Sequence, residues 1–199
     1  MTKLLSTAVL TLLLPSLAVA QGAVDPQHLF EAGRYQQVVD AAVPDSSPDV
    51  VYLAAQSLQK LAAPDQALQM YARLTQLPDT DGWHFIGLSG QQLVEGQVEA
   101  SVASARQAVA IAPQEPSTHY QLGLALAKQQ QWVEAAAAFD AATDRQPAFA
   151  YAHYYGGLMH YRANRVDRMA IHFDQFLKLA PEAPERPEVQ SIMRTMRRR

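Results

Sequence analysis

The side chains best suited to chemistry in this sequence are three histidines in its C-terminal half. His119 and His153 occupy positions that differ by 34, and His160 follows shortly after the second. Histidine is a common metal ligand, but structural zinc sites use four ligands, and no carboxylate or cysteine keeps close register with these three. We therefore predict no metal site, and we expect the imidazoles to be hydrogen-bonded within a packed core.

Motifs typical of enzymes are not recognisable in the chain. The segment Gly87-Leu88-Ser89-Gly90 lacks the spacing of a nucleophile elbow. The sequence has no phosphate-binding loop, no H-E-x-x-H motif and no dinucleotide fingerprint. It contains no cysteine and therefore no thiol nucleophile. We expect a protein that is not an enzyme and that uses no cofactor.

Residues 150–161, AYAHYYGGLMHY, concentrate four tyrosines in a short stretch. At helical spacing one stripe contains Tyr151, Tyr154, Leu158 and Tyr161. Tyr155 and Arg162 border this stripe, and His153 and His160 fall on the opposite side of the helix. Tyrosine combines a broad apolar ring with a hydroxyl and loses little rotamer entropy on binding, so the stripe favours a binding surface.

The N-terminal segment 1–20, MTKLLSTAVLTLLLPSLAVA, has the layout of a secretory signal peptide. Lys3 precedes an apolar run from Leu4 to Leu14, and Ala18-Val19-Ala20 provides small residues for cleavage. The apolar run is too short to span a bilayer. We expect a mature chain that begins at Gln21 and is periplasmic or secreted, without a stable membrane anchor.

Composition indicates a helical protein with a modest charge. Removing Lys3, the one charged residue of the leader, changes the formal charge from −3 to −4. This mild value gives no reason to expect a nucleic-acid partner. Without cysteine there are no disulfides, so packing alone must hold the core. Alanine and glutamine are abundant and β-branched runs are few, which favours helix throughout.

The chain repeats itself with a period of 34. At this interval Pro113, Pro147 and Pro181 each close a run of helix-forming residues. Two further series keep the same interval, one of small residues and one mostly aromatic: Ala55, Ser89, Gly123 and Gly157, and Tyr71, Ala105, Phe139 and Phe173. Each unit is predicted to form two amphipathic helices that cannot cover their apolar faces alone, so neighbouring units must stack.

Residues 117–147 resemble a tetratricopeptide repeat. The matching positions are Leu122-Gly123 and Leu126 in the first helix, Trp132 at the turn, Ala135, Phe139 and Ala142 in the second helix, and Pro147 at its end. The resemblance covers units at 48–81, 82–115, 116–149 and 150–183, with an abbreviated unit at 21–47. It implies an all-α, right-handed superhelical solenoid of helix-turn-helix repeats. Residues 184–199 are predicted to form an amphipathic capping helix with a basic tail.

In tetratricopeptide proteins the first helices line a concave groove, and the resemblance therefore places the tyrosine stripe in that groove and the histidines inside. The predicted groove residues are Tyr52, Trp83, Tyr120, Tyr151, Tyr154, Tyr155, Leu158, Tyr161 and Arg162. The alternative is that neighbouring helices or the C-terminal tail cover these tyrosines. The Lys/Asn/Arg clamp with which some members hold a C-terminal carboxylate is not reproduced, because the corresponding stripe has no asparagine: it offers Gln56, Lys60, Lys128 and Arg162.

These features predict a non-catalytic protein–protein interaction module of the bacterial envelope. Such an adaptor, scaffold or assembly factor would hold a peptide or a helix of a protein partner in its groove. Two alternatives remain: a structural protein that self-associates into homo-oligomers, and an accessory protein that modulates a cell-wall enzyme.

Overall fold

All regular structure in the described part of the chain is helical. The computed structural model describes residues 25–44 and 46–196, and within these ranges it has no strand. The all-α fold class is therefore confirmed. The predicted signal peptide at 1–20 and the last three arginines of the basic tail lie outside the described residues.

The described helices follow one another as hairpins. In chain order they are α1 (Pro26–Glu31) and α2 (Tyr35–Ala41), α3 (Pro48–Lys60) and α4 (Pro64–Leu74), α5 (Gly82–Val94) and α6 (Val98–Ile111), α7 (Pro116–Lys128) and α8 (Trp132–Arg145), α9 (Ala150–Arg162) and α10 (Val166–Leu179), and finally α11 (Arg186–Met196). Each of the ranges 48–81, 82–115, 116–149 and 150–183 contains one helix pair.

Local sequence explains where these helices begin. Proline stands in the first turn of α1, α3, α4 and α7, where its missing N–H is not needed for an intrahelical hydrogen bond. Asp25, Asp81 and Glu115 each accept a hydrogen bond from the backbone N–H two residues later. These side chains satisfy N–H groups that the first helical turn leaves unpaired.

The turn within each full repeat has a left-handed residue at the same register. These residues keep the interval of the repeat, with φ angles of 55°, 79°, 61° and 57° at Ala62, Gly96, Gln130 and Asn164 respectively. The residue that follows each of them donates its N–H to the carbonyl oxygen five residues earlier, as Ala63 does to Leu58 at 2.9 Å. This Schellman arrangement ends the first helix and reverses the chain. The period found in the sequence is therefore also present in the backbone.

The helices pack in two layers. Consecutive helices contact each other along the chain, and α7 also contacts α5 and α9. The first helices of the repeats therefore form an inner layer and the second helices an outer layer. Close approach between the layers depends on the small residues: a Cβ added to Gly123 would lie 2.7 Å from the ring of Phe139.

The two ends of the described chain meet. The ring of Phe30 in α1 packs on the ring of Tyr151 in α9, with centroids 4.9 Å apart. Arg34 forms a salt bridge of 3.2 Å with Glu182, beyond α10. The solenoid therefore curls into a closed ring, in which the first helix pair contacts the last repeat. The expected capping helix is present as α11, which packs on α10 and buries Val189 completely.

Candidate functional site: the central cavity

A cavity of about 500 Å³ lies on the inner face of the closed ring. We call it the central cavity; its lining is Phe30, Gln56, Gln59, Lys60, Leu93, Tyr120, Leu124, Ala127, Lys128, Tyr155, Leu158 and Met159. The side chains come from five successive inner helices. Its wall is mostly apolar, with two amides and two lysines as the main polar groups.

The predicted groove residues are divided among different environments. Tyr120, Tyr155 and Leu158 line the central cavity. Tyr52 and Trp83 line a second cavity of about 540 Å³, whose charged lining residues are the acids Asp25, Asp49 and Glu115. The structure thus provides one cavity with a basic lining and one with an acidic lining.

The prediction that Tyr151 and Tyr154 form an open groove surface is wrong. Their side chains are 0% and 6% exposed, and both rings pack on Phe176 of α10. The hydroxyl of Tyr151 donates to Glu185 at 2.8 Å, and that of Tyr154 donates to Glu188 at 3.1 Å. The C-terminal segment therefore covers these tyrosines, as the alternative interpretation proposed. Burial and the neighbouring carboxylates raise the pKa of Tyr154.

Tyr161 and Arg162 lie outside both cavities. Tyr161 is 42% exposed, and the guanidinium of Arg162 lies over the indole ring of Trp132 at 5.2 Å. This cation–π contact joins the end of α9 to the start of α8. The structure therefore does not place these two predicted groove residues in either cavity, although Leu158 and Met159 of the same helix line the central one.

The polar groups of the central cavity differ in how well they are satisfied. Lys60 donates to Glu185 at 2.7 Å. Burial would lower the pKa of Lys60, but Tyr155 and Glu185 outweigh it and raise that pKa. Lys128 is exposed and has no salt bridge within the described ranges. The buried Nε2 of Gln56 has no hydrogen-bond partner among the described residues. The cavity can therefore offer the exposed Lys128 ammonium to a ligand, whereas Nε2 of Gln56 is buried beneath the cavity wall.

Solved structures of repeat proteins have the same architecture. TTC0263, a tetratricopeptide-repeat protein of Thermus thermophilus, aligns with a TM-score of 0.63 and 18% identity over 84% of this chain and 95% of its own. The chain has the tetratricopeptide-repeat fold. YrrB aligns with a TM-score of 0.53 and 16% identity over 83% of this chain and 88% of its own.

MamA of Desulfovibrio magneticus RS-1, from its residue 41 onward, aligns with a TM-score of 0.50 and 19% identity over 79% of this chain and 97% of that one. No protein-family model matches the sequence, and no curated protein matches it. At these identities the likeness of the tetratricopeptide-repeat structures establishes the fold and leaves the site to be argued from its own residues.

Phe30 and Met159 are among the residues of the central cavity that the sequence did not predict. Phe30 reaches it because the tetratricopeptide-repeat solenoid closes on itself: the hydroxyls of Tyr35 and Tyr151 are 3.4 Å apart although 116 residues separate them. Met159 was overlooked because its helical position lies outside the tyrosine stripe. The repeat period of the sequence does not predict that the ring closes, because closure depends on the sum of the rotations between successive repeats.

The histidines of the last tetratricopeptide repeat form a cluster with a carboxylate. Oδ1 of Asp140 lies 2.9 Å from Nε2 of His160 and 2.9 Å from Nε2 of His172. No carboxylate keeps register with the histidines in the sequence, but the fold brings Asp140 to two of them. Burial alone would raise the pKa of Asp140, but its contacts with the His160 and His172 imidazoles outweigh burial and hold that pKa well below its usual range. His119 lies apart and contacts the Pro113 carbonyl oxygen at 2.9 Å.

Proposed function

We propose that the protein is a non-catalytic interaction module that binds a peptide segment of a partner protein in the central cavity. The observation that carries this proposal is the pairing of the exposed Lys128 with a largely apolar wall, within the described part of the chain. Apolar pockets with a few convergent polar groups are typical of ligand sites, and about 300–1,000 Å³ is their usual size.

The charge of the lining selects the chemistry of the ligand. The Lys128 ammonium favours a carboxylate or a backbone carbonyl oxygen, and Leu124 and Leu158 favour an apolar side chain beside it. YrrB, which has the same fold, is a tetratricopeptide-repeat protein with an unusual peptide-binding site. That precedent supports a peptide as the ligand. We infer a short segment that carries an acidic group next to an apolar residue.

Reversing the charge of Lys128 is expected to weaken peptide binding. Peptides would first be selected from a random display library on the wild-type protein, and their affinity measured by fluorescence polarisation. Lys128→Glu should weaken binding by about tenfold or more, because hydrogen bonds to charged groups contribute about 1.5–3 kcal/mol. Lys178→Glu is the matched control, since Lys178 is exposed on the outer helix α10.

Equal losses in the two lysine variants would contradict the proposed cavity and point to a general charge effect. A protein that selects no peptide and forms oligomers in static light scattering would favour the self-association alternative. Selected peptides without acidic residues would contradict the ligand chemistry inferred from the lining.

We also propose that the module acts in the bacterial envelope, periplasmic or secreted. The support is the signal-peptide layout of segment 1–20. The described stretches contain no helix with the length and apolar character needed to cross a membrane. Intact-mass measurement of the protein recovered from an envelope fraction should give a chain that begins at Gln21. Recovery of the chain with its leader intact would contradict this location.

A further inference from the structure

A compact cluster of metal-ligating side chains lies at the interface between the third and fourth full repeats, away from the central cavity. Asp140 comes from α8, His160 from α9 and His172 from α10, so three helices contribute one residue each. One potential ligand atom from each side chain lies within 4.8 Å of the other two. Both histidines are buried, whereas the Asp140 side chain is 30% exposed.

The hydrogen bonds behind His172 determine where its proton lies. Nε2 of His153 is 3.0 Å from the carbonyl oxygen of Pro147, so this nitrogen must carry the hydrogen. A neutral His153 ring then has only a lone pair at Nδ1, which faces Nδ1 of His172 at 3.2 Å. His172 must therefore donate from its own Nδ1.

This assignment leaves the other nitrogen of His172 in an unusual position. A neutral ring with its hydrogen on Nδ1 presents a lone pair at Nε2, and that lone pair faces the Asp140 carboxylate oxygen at 2.9 Å. Two acceptors at this distance repel each other unless a positive charge lies between them. Either a second proton on His172 or a bound cation supplies that charge.

We propose that Asp140, His160 and His172 bind a divalent transition-metal ion of the zinc type. Two imidazoles and a carboxylate are ligands that suit zinc. In a tetrahedral zinc site with bonds of about 2.0–2.2 Å, ligand atoms lie about 3.3 Å apart. The two oxygen–nitrogen distances of 2.9 Å need to widen by a few tenths of an ångström, and the two imidazole nitrogens, which lie within 4.8 Å of each other, need to reach the same spacing.

The surroundings of His172 match what a metal-bound histidine requires. Ligating histidines usually donate their second N–H to a fixed acceptor, which orients the ring. Here the chain from His172 through His153 to the Pro147 carbonyl provides that support. Nδ1 of His160 has no such acceptor among the described residues, so His172 is the ligand whose orientation is fixed. The exposed side of Asp140 gives an ion a path from solvent and leaves room for water as a further ligand.

Zinc titration of the full mature chain tests the site. Protein without a histidine tag would first be stripped of metal with a chelator. Zinc binding would then be measured by calorimetric titration with zinc chloride, and the melting temperature by thermal unfolding with and without zinc. We expect one zinc ion per chain and a rise in melting temperature of several degrees, since an ion that binds only the folded state stabilises it. Cobalt(II) should give the intense visible absorption of a tetrahedral site.

Two ligand variants and one matched control decide the assignment. Asp140→Asn and His172→Gln should each weaken zinc binding by more than about 100-fold, since changes beyond the ligands themselves already cost about 10–100-fold. His119→Gln is the matched control and should leave zinc affinity unchanged. His119 lies outside the cluster, but like His153 it is a buried histidine that contacts a proline carbonyl oxygen. Circular dichroism of the stripped proteins identifies any variant that fails to fold. Absence of stoichiometric binding, or equal affinity in a folded ligand variant and the control, would overturn the proposal.

Discussion

Replacing Tyr154 with alanine is expected to lower the free energy of unfolding by about 3–5 kcal/mol, the usual range for truncation of a buried aromatic ring. The ring is 6% exposed and lies 5.2 Å from Phe176 and 4.9 Å from Tyr155. Its removal would leave a cavity beneath the C-terminal segment, and the Glu188 carboxylate would lose a donor. Thermal or urea unfolding followed by circular dichroism measures the change.

Two variants separate burial from other effects at this helix. Tyr161→Ala changes the same residue type in α9, but Tyr161 is 42% exposed, so the expected change is within about 0.5 kcal/mol. Tyr154→Phe keeps the ring and removes the hydroxyl, and should cost about 1 kcal/mol. Nearly unchanged stability in Tyr154→Ala would mean that the tyrosine is open to solvent and available to a partner.

Replacing Gly123 with leucine is expected to destabilise the fold by about 1–3 kcal/mol, because added methylenes in a packed core force neighbouring side chains from their rotamers. A Cβ at this position already falls 2.7 Å from Phe139, a fully buried ring. Leucine would therefore push α7 and α8 apart. Urea unfolding gives the free energy, and an unchanged slope would show that the native state stays compact.

The matched control for this change is Ala137→Leu. Ala137 lies on α8 but is exposed, so a leucine there adds bulk without meeting the core. We expect a change within about 0.5 kcal/mol. If Gly123→Leu and Ala137→Leu had equal effects, the small-residue series would not mark the contact between the two layers.

The period of the sequence predicts which small and aromatic positions recur where the two helices of a repeat approach each other. Gly123 and Phe139 each recur with the period, and the structure places one against the other. The contact of Phe30 with Tyr151 has no such basis. It depends on the curvature of the whole solenoid, which accumulates from small rotations that no single residue encodes.

The histidine cluster shows a different limit. Asp140 and His160 are 20 residues apart, a separation unrelated to the period of the repeats, and they belong to different units. A search for carboxylates in register with the histidines therefore overlooks Asp140. The contact arises because the second helix of the third repeat packs against the first helix of the fourth, which brings positions of unrelated register together.

Closure of the ring changes how the protein is expected to unfold. An open solenoid has only neighbour contacts, so its terminal repeats can fray while the middle remains folded. In this chain the contacts of Phe30 with Tyr151 and of Lys60 with Glu185 join segments that are distant in sequence, which raises the contact order. Loss of either end removes support from the other, because each covers part of the same core. Cooperative unfolding in one transition, with slow closure as the last step of folding, follows from this topology.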